Sequence, residues 1–284
     1  MARTGATVPP PATPPERSIS SLRDDPGPSE DLGPYWTFYR AVAAAQLRRW
    51  LPERRARVLD VSGGRTPTAA RAAAAGHTVI EVLPAAPGPD RAGPRAAAPG
   101  RPRSAGRGPG PRPGAVHRVI GDPSSLEFLA DACVDAVIAE DRVLSRHLAA
   151  EATVAELARV LRPGGRMLLS VDSLMLGMAI LAEQNHWAHL SDVPRAEVVL
   201  VPWPDGTITR CFWSEQLREL LTEAGFEVEW IRPRTVLSPS TVEHVLTADE
   251  RALGRLVRTE LAASVDDESV GVHLVASAVR APCR

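Results

Sequence analysis

The sequence predicts an α/β protein whose centre is a mainly parallel β-sheet, and three observations carry that reading. Arg57-Val58-Leu59-Asp60-Val61 is an apolar strand run that feeds the small-residue turn Ser62-Gly63-Gly64, a helix ending at Gly76, and a second strand at 78–83. Strand, helix and strand within about thirty residues form a parallel crossover unit. Further strand runs follow at 116–120, 134–139, 166–171, 226–231 and 270–279, with helical patterns between most of them. Together they suit an α/β sheet of seven strands.

Residues 1–33 are rich in Pro, Ser, Gly and mixed charge, and are expected to be a disordered leader. One domain is then expected over 34–283. Its first helix carries Trp36, Tyr39, Val42, Ala43, Leu47 and Trp50 at helical spacing and runs into the opening strand. In the turn after that strand, Thr66 and Pro67 suit an N-cap and first helical position. Prolines recur every few residues over 84–114, an Arg-rich stretch whose single acid is Asp90, so a solvated insertion is expected there. Asp122-Pro123 is a second cap-plus-proline pair, read as opening a helix through Leu126 and Phe128. A helix over 148–161 is expected to stop at Arg162-Pro163-Gly164-Gly165.

The texture changes over 173–213. A long helix over 174–190 and a hairpin about Pro204-Asp205-Gly206 interrupt the alternation, as a lid over a site would. Alternation returns with a helix capped by Ser214 and ended by Gly225. Thr247 and Glu250 have capping-box spacing ahead of a helix that places Leu253, Leu256, Val257 and Leu261 on one face.

Composition narrows the functional classes. All 33 basic residues are arginine, which suits a GC-rich bacterial coding sequence and removes Schiff-base and Walker-type lysine chemistry. Cys133, Cys211 and Cys283 show no pairing or metal-ligand spacing, so reduced thiols and no metal are expected. No apolar run approaches the ~20 residues of a membrane span. A cytoplasmic protein without a membrane partner is expected. The 84–114 arginines attract phosphate, but they lack interleaved aromatics for base stacking, so nucleic acid is not expected as a partner.

Five motifs in order now identify a relationship: Val58-Leu59-Asp60-Val61-Ser62-Gly63-Gly64, Gly121-Asp122, Val134-Asp135-Ala136-Val137-Ile138-Ala139, Leu161-Arg162-Pro163-Gly164-Gly165-Arg166 and Leu220-Leu221-Thr222-Glu223-Ala224-Gly225-Phe226. Over about residues 35–281 the chain resembles the class I S-adenosylmethionine-dependent methyltransferases. The resemblance implies a Rossmann-like, doubly wound seven-stranded sheet with its last strand antiparallel, and S-adenosylmethionine as cofactor. It also implies that Asp60, Ser62, Gly63 and Gly64 approach the amino-acid end of the cofactor, that Asp122 contacts adenine, and that Glu140 joins the cofactor set. The family ends its second strand with an acid for the ribose hydroxyls. Leu83 and Pro84 stand there, and Glu81, two residues earlier on the same face, is the candidate substitute.

Methyl transfer from a sulfonium is an in-line displacement, which needs a base only when the acceptor carries a weakly acidic proton. Candidate bases are His147, His186 and Asp172, and Trp187, Trp203, Arg210 and Trp213 are candidates for an acceptor pocket under the lid. The amino-group signature Asn/Asp-Pro-Pro-Tyr/Phe is absent, replaced by Glu140-Asp141-Arg142. The expected function is methyl transfer to a small-molecule O or N acceptor. The alternative, favoured by the missing ribose acid, is a methyltransferase-like binding or regulatory module that has lost catalysis.

Overall fold

The computed structural model describes residues 22, 32–85, 114–203, 205–263 and 271–282. The remainder of the expected leader, residues 86–113 of the expected insertion, and Cys283 lie outside the described residues. In chain order the strands are β1 (Arg57–Asp60), β2 (Thr78–Leu83), β3 (Val116–Ile120), β4 (Val134–Ala139), β5 (Leu161–Asp172), β6 (Val199–Pro202), β7 (Ile208–Cys211), β8 (Phe226–Pro233) and β9 (His273–Arg280). Seven of them form one sheet in the order β3-β2-β1-β4-β5-β9-β8, and β6 and β7 pair separately as the expected hairpin. β1 to β5 are parallel neighbours, whereas β9 runs antiparallel to both β5 and β8. The doubly wound sheet with a reversed last strand is therefore present. Its order reverses between β1 and β4, and in such sheets the crevice beyond the carboxyl ends at that point is where ligands bind.

Burial on both faces explains the apolar strand runs. Leu59, Val137 and Leu169 pack with Leu157, Leu217 and Leu221, from helices α4 (Ala150–Val160) and α7 (Ser214–Glu223). Their alternates Val58, Ala136 and Leu168 pack with Leu47 and Trp50 of α1 (Gly33–Trp50) and Ala69 and Ala72 of α2 (Thr68–Ala74). The other face of α1 buries Phe38 and Val42 against Val242 and Leu246 of α8 (Pro239–Ala248), with Leu253, Leu256 and Val257 of α9 (Leu253–Ala262) alongside. The helix-and-hairpin unit has its own apolar cluster, including Leu174, Ile180, Val201 and Trp203.

Several local expectations are corrected. Helix α2 begins at Thr68, and Thr66 makes no cap because its hydroxyl pairs with that of Thr68 at 3.0 Å. No helix follows Asp122, whose carboxylate instead closes a turn by accepting from the Ser124 N–H at 2.8 Å and the Ser124 hydroxyl at 2.7 Å. The long helix over 174–190 is two helices, α5 (Leu174–Glu183) and α6 (Trp187–Asp192), broken where Asn185 turns left-handed (φ 59°). Ser214 is the first residue of α7 and not its cap; Gln216 accepts the Trp213 N–H at 3.1 Å. Asp249, not Thr247, caps the turn ahead of α9 by accepting the Arg251 N–H. β5 begins at Leu161, because Gly164 (φ 73°) lets a bulge carry the Arg162–Gly165 segment into the strand.

Candidate functional site

At the switch point Asp60 organises the turn that the sequence singled out. Its buried carboxylate accepts the Ser62 N–H at 2.9 Å through one oxygen and the Thr68 hydroxyl through the other. Burial, with the neighbouring Glu81 charge adding to it, pushes the Asp60 carboxyl up to about 6, although the Thr68 and Ser62 hydrogen bonds pull it back. Ser62 ties the turn to the next strand, its hydroxyl accepting the Glu140 N–H at 3.1 Å. Gly63 and Gly64 both have φ 71°, a left-handed conformation open to glycine at no steric cost. A Cβ on Gly64 would lie 2.6 Å from Leu83 Cδ2, so β2 packs tightly on the turn at that position.

A cleft of about 500 Å³ opens beyond β1 to β4, with Ser62, Gly63, Pro84, Asp122 and His147 in its wall. His147 follows the short helix α3 (Val143–Arg146) and places Nδ1 3.8 Å from the Asp122 carboxylate. The Ser124 hydrogen bonds hold the exposed Asp122 carboxyl below its usual range. Glu81 is the parallel-register partner of Asp60. It is 6% exposed and accepts from Arg118 Nε at 2.8 Å.

A second cavity of about 210 Å³ lies between α1 and the turn, walled by Trp36, Tyr39, Thr68, Arg71, Glu140 and Arg142 among others. Behind it sits a charge cluster drawn from distant parts of the chain. Arg234, 1% exposed, donates to one Glu140 carboxylate oxygen and, at 2.5 Å, to Gln46 Oε1. The other oxygen of Glu140, Oε1, is buried without a hydrogen-bond partner among the described residues. Asp172, at the end of β5, is 3.5 Å from both Arg142 Nη1 and His273 Nε2. The His273 ring stands edge-on to Tyr39 at 5.5 Å. Burial raises the Tyr39 phenol above its usual range, opposed by the Arg234 and Arg142 cations.

Of the expected site residues, Ser62, Gly63, Asp122 and His147 line the larger cleft and Glu140 the smaller cavity. Asp60, Gly64 and Glu81 line neither but belong to the adjoining turn and strand, and Asp172 pairs with Arg142 of the smaller cavity's wall. His186 stands apart in the helix-and-hairpin unit beside His189, and lines neither cavity. The four acceptor-pocket candidates do not line these cavities either. Trp187 is exposed, Trp203 is buried and donates to Thr209 at 2.6 Å, Arg210 pairs with Glu151 at 2.6 Å, and Trp213 packs against the unit's apolar cluster. Sequence reasoning missed Arg234, Gln46 and His273, which no local pattern marks. Among the described residues no group of three or more His, Cys, Asp or Glu is placed to hold a metal, and no helix is long and apolar enough to cross a membrane.

Residues 59–169 match the family model described as a methyltransferase domain. No curated protein matches the chain by sequence. Among solved structures, a SAM-dependent methyltransferase from Methanosarcina mazei is similar at 18% identity and a TM-score of 0.50, covering 83% of this chain and 97% of that one. A Listeria monocytogenes protein aligns at 11% identity with a TM-score of 0.55 over 87% of this chain and 100% of its own. A Pyrococcus horikoshii protein aligns at 13% with a TM-score of 0.52, covering 90% and 97% respectively. The matched residues span β1 to β5 and contain the glycine turn at the point where the sheet order reverses. Over residues 59–169 the chain is thus similar to a methyltransferase domain, and its fold is that of the solved S-adenosylmethionine-dependent methyltransferases it resembles.

Proposed function

We propose that this protein transfers a methyl group from S-adenosylmethionine to an oxygen or nitrogen of a small-molecule acceptor. The observation that carries the reading is Glu140, which lines the smaller cavity and whose buried Oε1 has no hydrogen-bond partner among the described residues, beside a glycine turn that admits close backbone approach. A buried carboxylate oxygen without a partner is costly unless a ligand donates to it. An ammonium group suits it, and Arg71 on the same wall suits a carboxylate, so the cavity fits an α-amino-acid head. The larger cleft then takes the adenosyl portion, with Asp122 toward the base and Glu81 toward the ribose. S-adenosylmethionine supplies the electrophilic methyl group; the protein's residues bind, orient and exclude water. Of the candidate bases, His147 alone lines a cavity and is partly exposed, and it is assigned the acceptor's proton. Asp172 is committed to Arg142 and His273.

Calorimetric titration with S-adenosylhomocysteine tests this assignment. The native chain is expected to bind at one saturable site. Glu140→Gln is expected to weaken binding by about tenfold or more, the worth of one charge-assisted hydrogen bond. Absence of heat from the native chain at high ligand concentration would sink the reading.

A binding or regulatory module is the second reading, favoured by Leu83 at the position of the family's ribose acid. It predicts binding of S-adenosylhomocysteine without turnover. In either case Leu83→Asp is expected to tighten S-adenosylhomocysteine binding by roughly 10- to 100-fold, because a carboxylate there accepts from ribose hydroxyls. The same titration checks it, and an unchanged affinity would place the ribose away from the end of β2.

A further inference from the structure

Arg65 and Asp141 are the two residues common to the walls of both cavities, and their side chains meet across the boundary at 3.0 Å. We propose that this ion pair is a clasp across the cofactor site that must open for a spanning ligand to enter and closes again over it. The proposal rests on the function proposed above, because only a ligand with its two ends in the two cavities has to pass the pair.

The two halves of the clasp are built differently. Asp141 is held from within: its side chain is 14% exposed, with Arg142 Nη2 at 3.5 Å and Arg146 Nη2 at 3.7 Å. Its own carbonyl accepts from Arg146 Nε at 3.2 Å. Asp141 and Arg142 are consecutive non-glycine residues in the left-handed region (φ 60° and 58°). Such a conformation persists only where the surroundings impose it, and it is concentrated at ligand clamps and switch regions. Arg65 is the opposite. Its side chain is 58% exposed, and it follows the two left-handed glycines Gly63 and Gly64, the most permissive backbone of the turn. Arg65 is therefore the arm and Asp141 the catch. An ion pair with one exposed partner is weak enough to open readily and is screened by salt, so the clasp sets rates more than affinity.

Stopped-flow mixing with S-adenosylhomocysteine, read through the fluorescence of Trp36 in the smaller cavity, provides the test. Arg65→Ala is expected to raise the association and dissociation rate constants by about fivefold each, leaving the dissociation constant within about twofold. Asp141→Asn is expected to do the same, and high salt is expected to move the native rates toward those of Arg65→Ala while leaving that variant unmoved. Variant rates equal to the native ones overturn the clasp alone. So does a rise confined to dissociation, which would make Arg65 an ordinary ligand contact. A native chain that gives neither calorimetric heat nor a fluorescence change overturns the proposed function, and the clasp with it.

Discussion

Arg234→Ala is expected to destabilise the protein by about 3–5 kcal/mol, the cost of leaving one member of a buried ion pair without its partner. The native guanidinium is 1% exposed and answers the Glu140 carboxylate and Gln46 Oε1, while the Arg234 carbonyl accepts from Gln46 Nε2 at 3.4 Å. Removing it strands Glu140, one of whose oxygens already lacks a partner. For a domain of this size the loss corresponds to a fall in melting temperature of roughly 6–20 °C, measurable by calorimetry or circular dichroism. The double substitution Arg234→Met with Glu140→Leu is expected to recover most of the stability, because apolar replacement of a whole buried pair is often neutral or stabilising. It also removes the carboxylate proposed to receive the ligand's ammonium group, so stability returns while S-adenosylhomocysteine binding does not. A loss below about 1 kcal/mol for Arg234→Ala would mean that solvent reaches Glu140 and that the pair is not a buried one.

That cluster also marks where sequence reading runs out. The strands were legible because Val58-Leu59, Val79 and Val134 to Ala139 are buried on both faces, and such burial writes itself as short β-rich runs. The candidate cofactor residues were legible for a related reason: they sit at strand ends and in the turns that follow, where acids and glycines interrupt those runs. Gln46 and Glu140 meet Arg234 across separations of 188 and 94 residues, and no local period encodes such a meeting. Helix ends failed where two signals competed. Thr66-Pro67 has the chemistry of a cap, but the Asp60 carboxylate engages Thr68 and the helix starts there. Asp122-Pro123 has the same chemistry, yet Asp122 closes a turn on Ser124, and no α-helix follows. Asn185 tolerates the left-handed region and breaks in two the helix expected over 174–190. Helix α8 does carry a signal in the sequence, Ser238 before Pro239, and the Ser238 hydroxyl accepts the Thr241 N–H at 3.2 Å.

Asp60→Asn is expected to gain stability relative to the native chain as pH rises from about 4 to 7, by up to ~3 kcal/mol, with the midpoint of the change at about pH 5, between the unfolded and folded values. The sign follows from the direction of the shift. Burial lifts the folded-state carboxyl to about 6, above its unfolded value. The folded chain therefore holds this proton more tightly than the unfolded chain does. The contribution of Asp60 to stability is fully present below the unfolded pKa of about 4 and is lost as pH rises through about 6. Asparagine keeps an acceptor for the Ser62 N–H and never ionises, so the difference in unfolding free energy between the two chains isolates the linkage. The carboxyls of Asp122, Glu151 and Glu156 are lowered, contribute in the opposite sense, and cancel in that difference. A pH-independent difference from denaturant titrations at several pH values would contradict the burial of an ionised Asp60. The same proton has a functional consequence at the turn. Both Asp60 oxygens accept hydrogen bonds in the charged form. Protonation turns one of them into a donor and loosens the hold on Ser62 and Thr68. S-adenosylhomocysteine affinity is expected to weaken as pH falls through 6 in the native chain, with that step absent from Asp60→Asn. The ionised carboxylate thus costs stability at neutral pH and secures the geometry of Gly63 and Gly64, the exchange expected where a fold gives up stability to hold a site in place.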